Sequence, residues 1–313
     1  MQRVTIKKTD LSVSPLCLGG CPLGGYGWGN VEREALLGAV RSAYECGINF
    51  FDTADTYGLG ESERLLAEAL GEWRHDAVIT TKFGVRIEGG KTFYDNSREY
   101  INLAVDGSLK RLKRDYIDLY QVHYRDGVTP LYDLVESLEG LRRAGKIRYY
   151  GLSNIHAEDA RELQLLGTNP FVSFQDEYSL ACRKNEADML HFRDVHGMTP
   201  LTWGSLGQGI LTGKYDKNCT FDKNDRRSRD IYVNFHGEKL IKNLEIVEEL
   251  KKIAAAVGKP VSAVAIRWIL DYLCGSVVIV GAKSPAQVMQ NYEAMNWSLS
   301  ADAVSALEKI SRE

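Results

Sequence analysis

Short apolar runs rich in β-branched residues alternate with longer amphipathic stretches along almost the whole chain. Apolar runs of this length predict strands. The eight runs are Leu16–Gly20, Ile48–Asp52, Val78–Lys82, Ile117–His123, Arg148–Ser153, Val172–Gln175, Thr199–Gly204 and Val277–Gly281. The stretches between the first seven predict helices, at Glu32–Gly47, Ser62–Trp73, Ser97–Leu112, Leu131–Ala144, Glu158–Leu166 and Asn185–His196. Strands that alternate with helices run parallel and need helices on both faces of the sheet, so the pattern predicts an α/β fold.

Two α/β folds fit this alternation, a doubly wound sheet and a closed (β/α)8 barrel. A doubly wound dinucleotide fold would need G-x-G-x-x-G between a strand and a helix. The glycine-rich stretch GGCPLGGYGWG follows the first run, but no helical run follows it in the required register. Eight repeats favour the barrel. The sequence therefore predicts a (β/α)8 TIM barrel that forms a single domain over residues 1–313.

The seventh and eighth runs are separated by far more chain than the other runs. This segment contains the polar stretch YDKNCTFDKNDRRSRDIYVNF, at residues 215–235, and two helical patterns, Gly237–Val257 and Val261–Tyr272. Loops of such length are often functional lids. In a barrel, this one would lie over the face where ligands bind.

Composition narrows the class of partner. The chain has 313 residues with 39 basic and 42 acidic side chains, a net charge of -3, which does not indicate a nucleic acid or a charged membrane surface as partner. The six cysteines form no C-x-x-C pair, and neither they nor the six histidines have metal-site spacing. No signal-like or membrane-spanning apolar segment is apparent. We expect a cytoplasmic protein without a bound metal or an evident protein partner, acting on a small molecule.

Four polar residues follow neighbouring predicted strands. Asp52 ends the second run in FFDTADTYGLGESE, Tyr57 lies just beyond it, Lys82 ends the third and His123 the fourth. Barrel active sites lie at the carboxyl ends of strands, so these side chains are expected to converge. An ammonium group lowers the pKa of a phenol, and a carboxylate keeps a buried lysine charged. With a neutral imidazole beside them, they form a general acid suited to reducing a carbonyl group by hydride delivered from elsewhere.

Other interpretations of these residues remain open. Taken singly, each is more often structural than catalytic, and Asp55 in particular is expected to shape a turn or cap a helix. Lys82 could also be the nucleophile of a Schiff-base aldolase, because barrel lysines react in this way when their pKa is lowered. A carboxylate at Asp52 argues against that chemistry, since it would hold the amine charged.

Several motifs resemble those of the aldo-keto reductases, and the resemblance runs nearly end to end. The motifs are FFDTADTYGLGESE, ITTK, DYIDLYQVH, KIRYYGLSN and FQDEYSL. Similarity is greatest to a bacterial branch associated with inositol and sugar catabolism. The resemblance implies a catalytic tetrad of Asp52, Tyr57, Lys82 and His123. It also implies that the nicotinamide carboxamide is held by Ser153, Asn154 and Gln175.

Two later motifs, TWGSLGQGILTGKY and VVIVGAKSPAQVMQN, resemble the cofactor-binding segments of that family. In the first, Trp203 stands where the family usually has a tyrosine that stacks on the nicotinamide. The resemblance implies NADP(H) as the cofactor, because a helix start with a lysine favours the 2′-phosphate. The cofactor-binding residues that it implies in these two motifs and the long loop are Trp203, Gly204, Ser205, Leu206, Gly209, Lys214, Arg227, Gly281, Lys283, Ser284, Gln287 and Asn291.

The same resemblance predicts the mouth of the substrate pocket. Its lining is expected to include Tyr26, Trp28, Tyr124 and Arg125, with Tyr232 or Phe235 from the long loop. Aromatic side chains with one guanidinium indicate a small polar or anionic carbonyl compound, and a sugar-derived aldehyde or polyol fits the branch. Alternatively, Arg125 pairs with Asp126 and selects nothing.

A second function also fits the family. Potassium-channel β subunits resemble the aldo-keto reductases, keep the cofactor and act chiefly by binding a partner. The sequence shows no long N-terminal inactivating extension or basic tail, so an NADPH-binding regulatory subunit is the less favoured prediction. The preferred prediction is an NADPH-dependent aldo-keto reductase of the alcohol dehydrogenase type.

Overall fold

Eight parallel strands close into a barrel in the computed structural model, which describes residues 2–312. Each strand pairs with its neighbours in the order of the chain, and the last pairs with the first. The strands are β1 (Leu16–Gly19), β2 (Phe50–Asp52), β3 (Val78–Phe83), β4 (Ile117–Val122), β5 (Ile147–Ser153), β6 (Ser173–Glu177), β7 (Thr199–Trp203) and β8 (Val277–Gly281). The predicted (β/α)8 TIM barrel is confirmed.

Helices form the outer layer of the barrel. Within residues 2–312 they are α1 (Arg33–Glu45), α2 (Glu61–Leu70), α3 (Arg98–Leu112), α4 (Leu131–Arg143), α5 (Ala157–Leu165), α6 (Glu186–Asp194), α7 (Gly237–Val257), α8 (Val261–Tyr272), α9 (Pro285–Tyr292) and α10 (Ala301–Ser311). The serines before α3, α9 and α10 accept hydrogen bonds from backbone N–H groups of the first turn, which fixes where these helices begin. The two extra helices predicted between β7 and β8 are α7 and α8.

An N-terminal hairpin closes the floor of the barrel. Its strands, Val4–Thr5 and Ser12–Val13, pair antiparallel. Apolar side chains of the hairpin pack with inward-facing residues of the barrel strands, and all of them are buried: Ile6, Leu11, Val13, Cys17, Phe50, Leu119 and Leu201. Because the amino ends of the strands are covered in this way, only the opposite face, at their carboxyl ends, is left for a ligand.

The structure departs from the prediction mainly outside the barrel. His123 and Gly204 lie one residue beyond the strands that were expected to contain them, since β4 ends at Val122 and β7 at Trp203. A second hairpin, Val85–Glu88 with Lys91–Tyr94, follows β3 and was not predicted. Its turn is Gly89 and Gly90, both with positive φ, which is the geometry that a two-residue hairpin turn requires.

Residues 215–235, called the strap below, cross the carboxyl-end face of the barrel. Apart from short 3-10 turns, the strap has no regular structure. It pairs with the loop after β1: Asp225 and Trp28 form an isolated antiparallel bridge, and the N–H of Arg226 donates to the carbonyl of Gly27 at 3.0 Å. The long loop therefore lies where the sequence predicted, over the open end of the barrel.

Helices α7 and α8 lie between β7 and β8, and most side chains of α8 are buried. No single helix within residues 2–312 is long and apolar enough to cross a membrane; the two together meet that length and composition but are bent by 95°. Trp268 of α8 is fully buried. Its ring stacks on Tyr272 at 4.9 Å and on Tyr178 at 6.0 Å, and its Nε1–H donates to the carbonyl of Val304 at 3.3 Å.

Replacing Trp268 with alanine removes these contacts and leaves a large cavity. We expect Trp268→Ala to lower the free energy of unfolding by about 3–5 kcal/mol, measured by urea titration. Tyr132→Ala is the control, because that side chain is 69% exposed on α4; it is expected to change stability by less than about 0.5 kcal/mol. A loss below about 1 kcal/mol at Trp268 would contradict this account of the packing.

Candidate active site

Four side chains meet at the carboxyl ends of β2, β3 and β4. Successive residues of a strand face opposite sides, so Asp52 points inward like Phe50, and Lys82 like Thr80 and Val78. His123 follows the last residue of β4. Tyr57 lies in the turn between β2 and α2.

The centre of the site is an ion pair between Lys82 and Asp52. Lys82 Nζ donates to both carboxylate oxygens of Asp52 at 2.7 Å, to the carbonyl of Thr53 at 2.9 Å and to Tyr57 Oη at 3.4 Å. Gln175 Nε2 donates to Oδ2 of Asp52 at 2.8 Å. Lys82 is 1% exposed and Asp52 is 3% exposed. A buried charge pair of this kind persists only when its remaining hydrogen bonds are satisfied, as they are here.

Tyr57 is held as a neutral phenol. Burial raises its pKa well above the ordinary value, and the negative charge of Asp52 adds to the effect. The net lowering of this pKa that the sequence predicted is therefore not found, because burial and the charge of Asp52 raise the pKa. The hydroxyl keeps its proton at neutral pH, which is the state that a proton donor needs.

His123 is also neutral. Burial lowers its pKa well below the ordinary value, and the neighbouring charge of Lys82 acts in the same direction. Its ring meets the ring of Tyr57 edge to face, with centroids 5.8 Å apart. The buried Nδ1 has no hydrogen-bond partner among residues 2–312. A neutral imidazole beside an unionised phenol leaves both rings able to contact an uncharged oxygen.

Two glycines set the position of Tyr57. The loop after β1 crosses the Tyr57 turn so closely that a Cβ on Gly24 would lie 2.7 Å from the carbonyl carbon of Tyr57. A Cβ on Gly58 would lie 2.2 Å from the carbonyl oxygen of Gly24, and Gly58 has a φ of +60°. No side chain fits at either crossing point. The sequence interpretation missed this contact, although both glycines lie in the motifs that it quoted.

Trp203 is anchored to the catalytic end of β4 through Asn154. The indole Nε1–H donates to Asn154 Oδ1 at 3.2 Å, and Asn154 Nδ2 donates to the carbonyl of His123 at 2.9 Å. Asn154 has a φ of +53°, which turns its side chain between these two partners. The hydroxyl of Ser153 donates to the carbonyl of Gln175 at 3.0 Å. The residues predicted to hold a nicotinamide are therefore brought together around one planar side chain.

The segment after Trp203 has an unusual backbone. Gly204, Gln208 and Gly209 have positive φ values of 65°, 55° and 107°. Leu206 lies between them, partly buried. The hydroxyl of Ser205 is buried and donates to backbone carbonyls of Thr202 and Ile279. That hydroxyl is thus committed to joining β7 and β8, and only the backbone of this residue faces a possible ligand.

The start of α9 carries the predicted phosphate site. The hydroxyl of Ser284 accepts from the N–H of Gln287 at 3.4 Å, and the Gln287 side chain accepts from the N–H of Lys283 at 2.9 Å. Lys283 Nζ donates to the carbonyl of Trp28. Its pKa is lowered, first by burial and then by the charge of Arg227. Gly281 ends β8, and Asn291 is buried on α9.

Arg227 is buried within the strap. It forms an ion pair with Asp225 at 2.6 Å and donates to Tyr215 Oη at 2.6 Å. Its Nη1 also lies 3.5 Å from the carbonyl of Gln208, beside the left-handed turn. Lys214 approaches the same region, with Nζ 5.0 Å from the centroid of the Tyr215 ring. The predicted lid arginine therefore faces the glycine turn but is already paired with a carboxylate.

Tyr26 and Trp28 lie at the mouth of the barrel. The Trp28 indole donates to Cys21 Sγ at 3.3 Å, and the guanidinium of Arg226 lies 5.2 Å from the Trp28 ring and 5.7 Å from the Tyr26 ring. Cation–π contacts of this kind hold the first loop against the strap. The mouth is closed on this side by both segments together.

Arg125 does not face this mouth. Its guanidinium forms ion pairs with Asp159 at 3.3 Å and Glu162 at 3.0 Å, both on α5, and donates to the carbonyl of Thr129. Selection of an anionic substrate by Arg125 is therefore not supported by its position. The alternative pairing with Asp126 is also wrong, because that carboxylate accepts from Asn96, Val128 and Thr129 instead.

Phe235 and Tyr232, the two residues of the long loop that the sequence predicted at the substrate mouth, differ in burial. Phe235 is 3% exposed and packs on Tyr215 and Phe221, so it belongs to the core of the strap and not to the mouth. Tyr232 is partly buried.

Tyr124 stacks on His123 with centroids 5.1 Å apart, and Tyr94 of the unpredicted hairpin stacks on Tyr124. The Gly89–Gly90 pair between alternating residues was the signal that could have revealed this hairpin.

Asp55 lies behind the catalytic turn. Its N–H donates to the carbonyl of Lys82 at 3.3 Å, while its Oδ1 is buried without a hydrogen-bond partner among residues 2–312. The neighbouring Glu63 accepts from Thr81 and Arg111. Burial, and next the charge of Glu63, raise the pKa of Asp55 to about 8. A carboxyl group two residues from Tyr57 is thus largely protonated at neutral pH.

A family model described as the aldo/keto reductase family matches residues 15–312. The aldo-keto reductase YhdN of Bacillus subtilis is 33% identical over 305 residues, covering 96% of this chain and 91% of that protein. The chain therefore belongs to the aldo/keto reductase family, as the motifs predicted. Its assignment to the branch associated with inositol and sugar catabolism stays a prediction.

The same architecture is found in a solved structure. The glycerol dehydrogenase AKR11B4 from Gluconobacter oxydans superposes with a TM-score of 0.89 at 33% sequence identity, covering 99% of this chain and 94% of that one. The barrel and its added helices are thus shared with an enzyme of the family. The substrate that its name gives is a property of that enzyme.

Two further relatives have names that differ in activity and cofactor. The NADH-specific methylglyoxal reductase of Escherichia coli is 32% identical over 320 residues, covering 97% of this chain and 96% of that protein. A probable voltage-gated potassium channel subunit beta from Oryza sativa subsp. japonica is 34% identical over 310 residues, covering 95% and 92%. Overall identity therefore does not separate a reductase from a channel subunit, and the site has to do so.

The raised pKa of Asp55 predicts a pH-dependent stability. Between about pH 4, where an unfolded aspartate titrates, and about pH 8, the folded chain holds a proton that the unfolded chain has released. Stability therefore falls as pH rises through this window. Asparagine has no such proton. In urea titrations, the free energy of unfolding of Asp55→Asn relative to that of the parent is therefore expected to rise from pH 5 to pH 8.

The control is Asp230→Asn, on an exposed position of the strap. It is expected to follow the pH dependence of the parent. If the difference between Asp55→Asn and the parent stays constant across the window, the carboxyl group is not protonated in the folded chain.

Proposed function

We propose that this chain is an NADP(H)-dependent aldo-keto reductase of the alcohol dehydrogenase type, in which Tyr57 protonates the carbonyl oxygen of an aldehyde or ketone. The observation that carries this proposal is the contact of Lys82 Nζ with Tyr57 Oη at 3.4 Å, beside a neutral His123. Family membership supports carbonyl reduction as the reaction class. The reverse reaction oxidises an alcohol or sugar with the same groups.

Lys82 and Asp52 act on the proton donor. A phenol whose pKa is raised by burial holds its proton until a basic oxygen arrives. Once the proton has left, the phenolate is stabilised by the ammonium group of Lys82, which Asp52 orients and keeps charged. The cost of creating a buried anion is offset because its counter-charge is already in place.

His123 orients the substrate. As a neutral imidazole, it keeps one ring N–H that can donate to the same oxygen that Tyr57 protonates. A charged imidazolium would instead repel the neighbouring ammonium group of Lys82. The low pKa of His123 therefore suits the role of a neutral donor placed beside a cation.

The residues present fit a nicotinamide dinucleotide. Asn154 fixes the planar Trp203 ring for stacking, and Ser153 and Gln175 lie beside it. The left-handed turn around Gly209 brings backbone close to Arg227, as a pyrophosphate site requires. Lys283 at the start of α9 favours the extra 2′-phosphate of NADP(H). When bound, NADPH supplies the hydride.

Two alternatives are weaker. A Schiff-base aldolase needs a neutral lysine, but Lys82 donates to both oxygens of a buried carboxylate. A regulatory subunit related to channel β subunits would bind the cofactor without needing a proton donor. The arrangement of Tyr57, His123 and the charge pair therefore favours a catalytic role.

The proton donor is tested by Tyr57→Phe. NADPH oxidation is followed with 4-nitrobenzaldehyde, and the variant is expected to lose a factor of about 10² or more in kcat, as removal of a general acid predicts. Its affinity for NADPH, measured by fluorescence quenching, should be unchanged. Tyr132→Phe, on the exposed face of α4, is the matched control and should retain full activity.

Equal turnover by the parent and Tyr57→Phe would show that this phenol is not the acid. If the parent and the variant both bind NADPH but reduce no aldehyde, the regulatory function is favoured instead. Trapping of a substrate on Lys82 with borohydride would favour the aldolase.

Cofactor preference is tested by Lys283→Met. A charge-assisted contact to phosphate contributes about 1.5–3 kcal/mol, so the Kd for NADPH is expected to rise by roughly 10- to 100-fold. The Kd for NADH should stay within about twofold, because NADH lacks the 2′-phosphate. Lys259→Met, which removes a surface ion pair with Glu293, is the control. An equal rise in the Kd values for NADPH and NADH would contradict the assignment of Lys283 to the 2′-phosphate.

A further inference from the structure

Three aromatic rings form a continuous wall from the catalytic end of β4 outward. The rings of His123 and Tyr124 have centroids 5.1 Å apart and planes inclined by 26°. The rings of Tyr124 and Tyr94 follow at 5.2 Å and 28°. Tyr94 is 52% exposed, so the part of its surface that is not against Tyr124 is open. This aromatic wall leads from the reacting oxygen toward solvent.

The hairpin that carries Tyr94 extends the same surface. Tyr94 pairs with Val85 and Thr92 with Ile87, so these four side chains share one face. Phe93 and Arg86 pair on the opposite face. Ile87 is 41% exposed. The face that begins at Tyr94 therefore continues with an exposed apolar side chain toward the tip of the hairpin.

The wall is held in place by hydrogen bonds at its base. Tyr100 Oη donates to the carbonyl of Val85 at 3.0 Å, and Asn96 Nδ2 donates to the carbonyl of Tyr124 at 3.1 Å. Arg86 pairs with Asp95 at 3.0 Å and with Glu88. The hairpin is thus fixed to the loop after β4, and a substrate would meet a surface that is already formed.

The two guanidinium groups next to the wall, those of Arg86 and Arg125, are already paired. Arg86 has its two carboxylate partners, and Arg125, which follows Tyr124 in sequence, is directed to α5. A ligand on this surface meets aromatic rings and Ile87, without a free guanidinium to hold an anion. The surface suits a neutral, planar group.

We propose that the hairpin face is a substrate subsite that selects elongated aromatic carbonyl compounds, with Tyr94 as its specificity-determining residue. One ring of the substrate lies beside Tyr124 and a second ring stacks on Tyr94. The proposal rests on the proposed function, since it requires that the carbonyl group reacts at Tyr57. Aromatic pairs contribute binding energy beyond that of the area that they bury.

The test compares three aldehydes of increasing length: propanal, benzaldehyde and biphenyl-4-carboxaldehyde. The parent is expected to have its highest kcat/KM with the biphenyl compound. Tyr94→Ala should lower that value roughly tenfold, mainly through KM, and leave propanal within about twofold. Tyr94→Phe keeps the ring and should retain the parent value. Phe93→Ala, on the opposite face of the same hairpin, is the matched control and should change none of the three.

The outcomes separate this inference from the proposed function. A parent that reduces propanal and the biphenyl aldehyde equally well overturns the subsite alone. The same holds if Tyr94→Ala weakens all three aldehydes equally, or if Phe93→Ala matches it. A parent that binds NADPH but reduces none of the aldehydes overturns the proposed function, and this inference with it.

Discussion

The site depends on one buried charge pair. Taking an ammonium and a carboxylate out of water costs several kcal/mol for each ion, and the fold offsets this cost only because Lys82 and Asp52 contact each other directly. The remaining donors of Lys82 reach Thr53 and Tyr57, and Gln175 from the far side of the barrel satisfies Asp52. Neighbouring strands supply the pair itself. Burial and then the charge of Asp52 raise the pKa of Tyr57, while burial and then the charge of Lys82 lower the pKa of His123.

The loops around this pair hold each other in place. The crossing of Gly24 and Gly58 fixes the turn that carries Tyr57, while Trp28 and Asp225 join the first loop to the strap. Lys283 reaches from the start of α9 to the carbonyl of Trp28. Four segments that are distant in sequence thus form one connected rim, so the groups assigned to the cofactor and those at the substrate mouth share contacts.

Much of the barrel and the site could be predicted from the sequence, because both follow from periodicity. Eight apolar runs define the strands, and a two-residue period decides that Asp52 and Lys82 point inward. The predictions failed where tertiary contacts decide. Arg125 has partners on α5 that lie more than 30 residues away. The direction of the Tyr57 pKa depends on burial, which no motif encodes. The hairpin after β3 is a different case, because its Gly-Gly turn is visible in the sequence and was missed.

The apolar floor has a consequence for the supply of protons. The N-terminal hairpin seals the lower end of the barrel with Ile6, Leu11 and Val13, which are at most 2% exposed. These packed apolar side chains separate Tyr57 from solvent on that side. In the proposed reduction, the proton that leaves Tyr57 has to be replaced through the same opening that admits the substrate. Reprotonation of Tyr57 therefore depends on departure of the product. A second turnover cannot begin while the mouth is occupied.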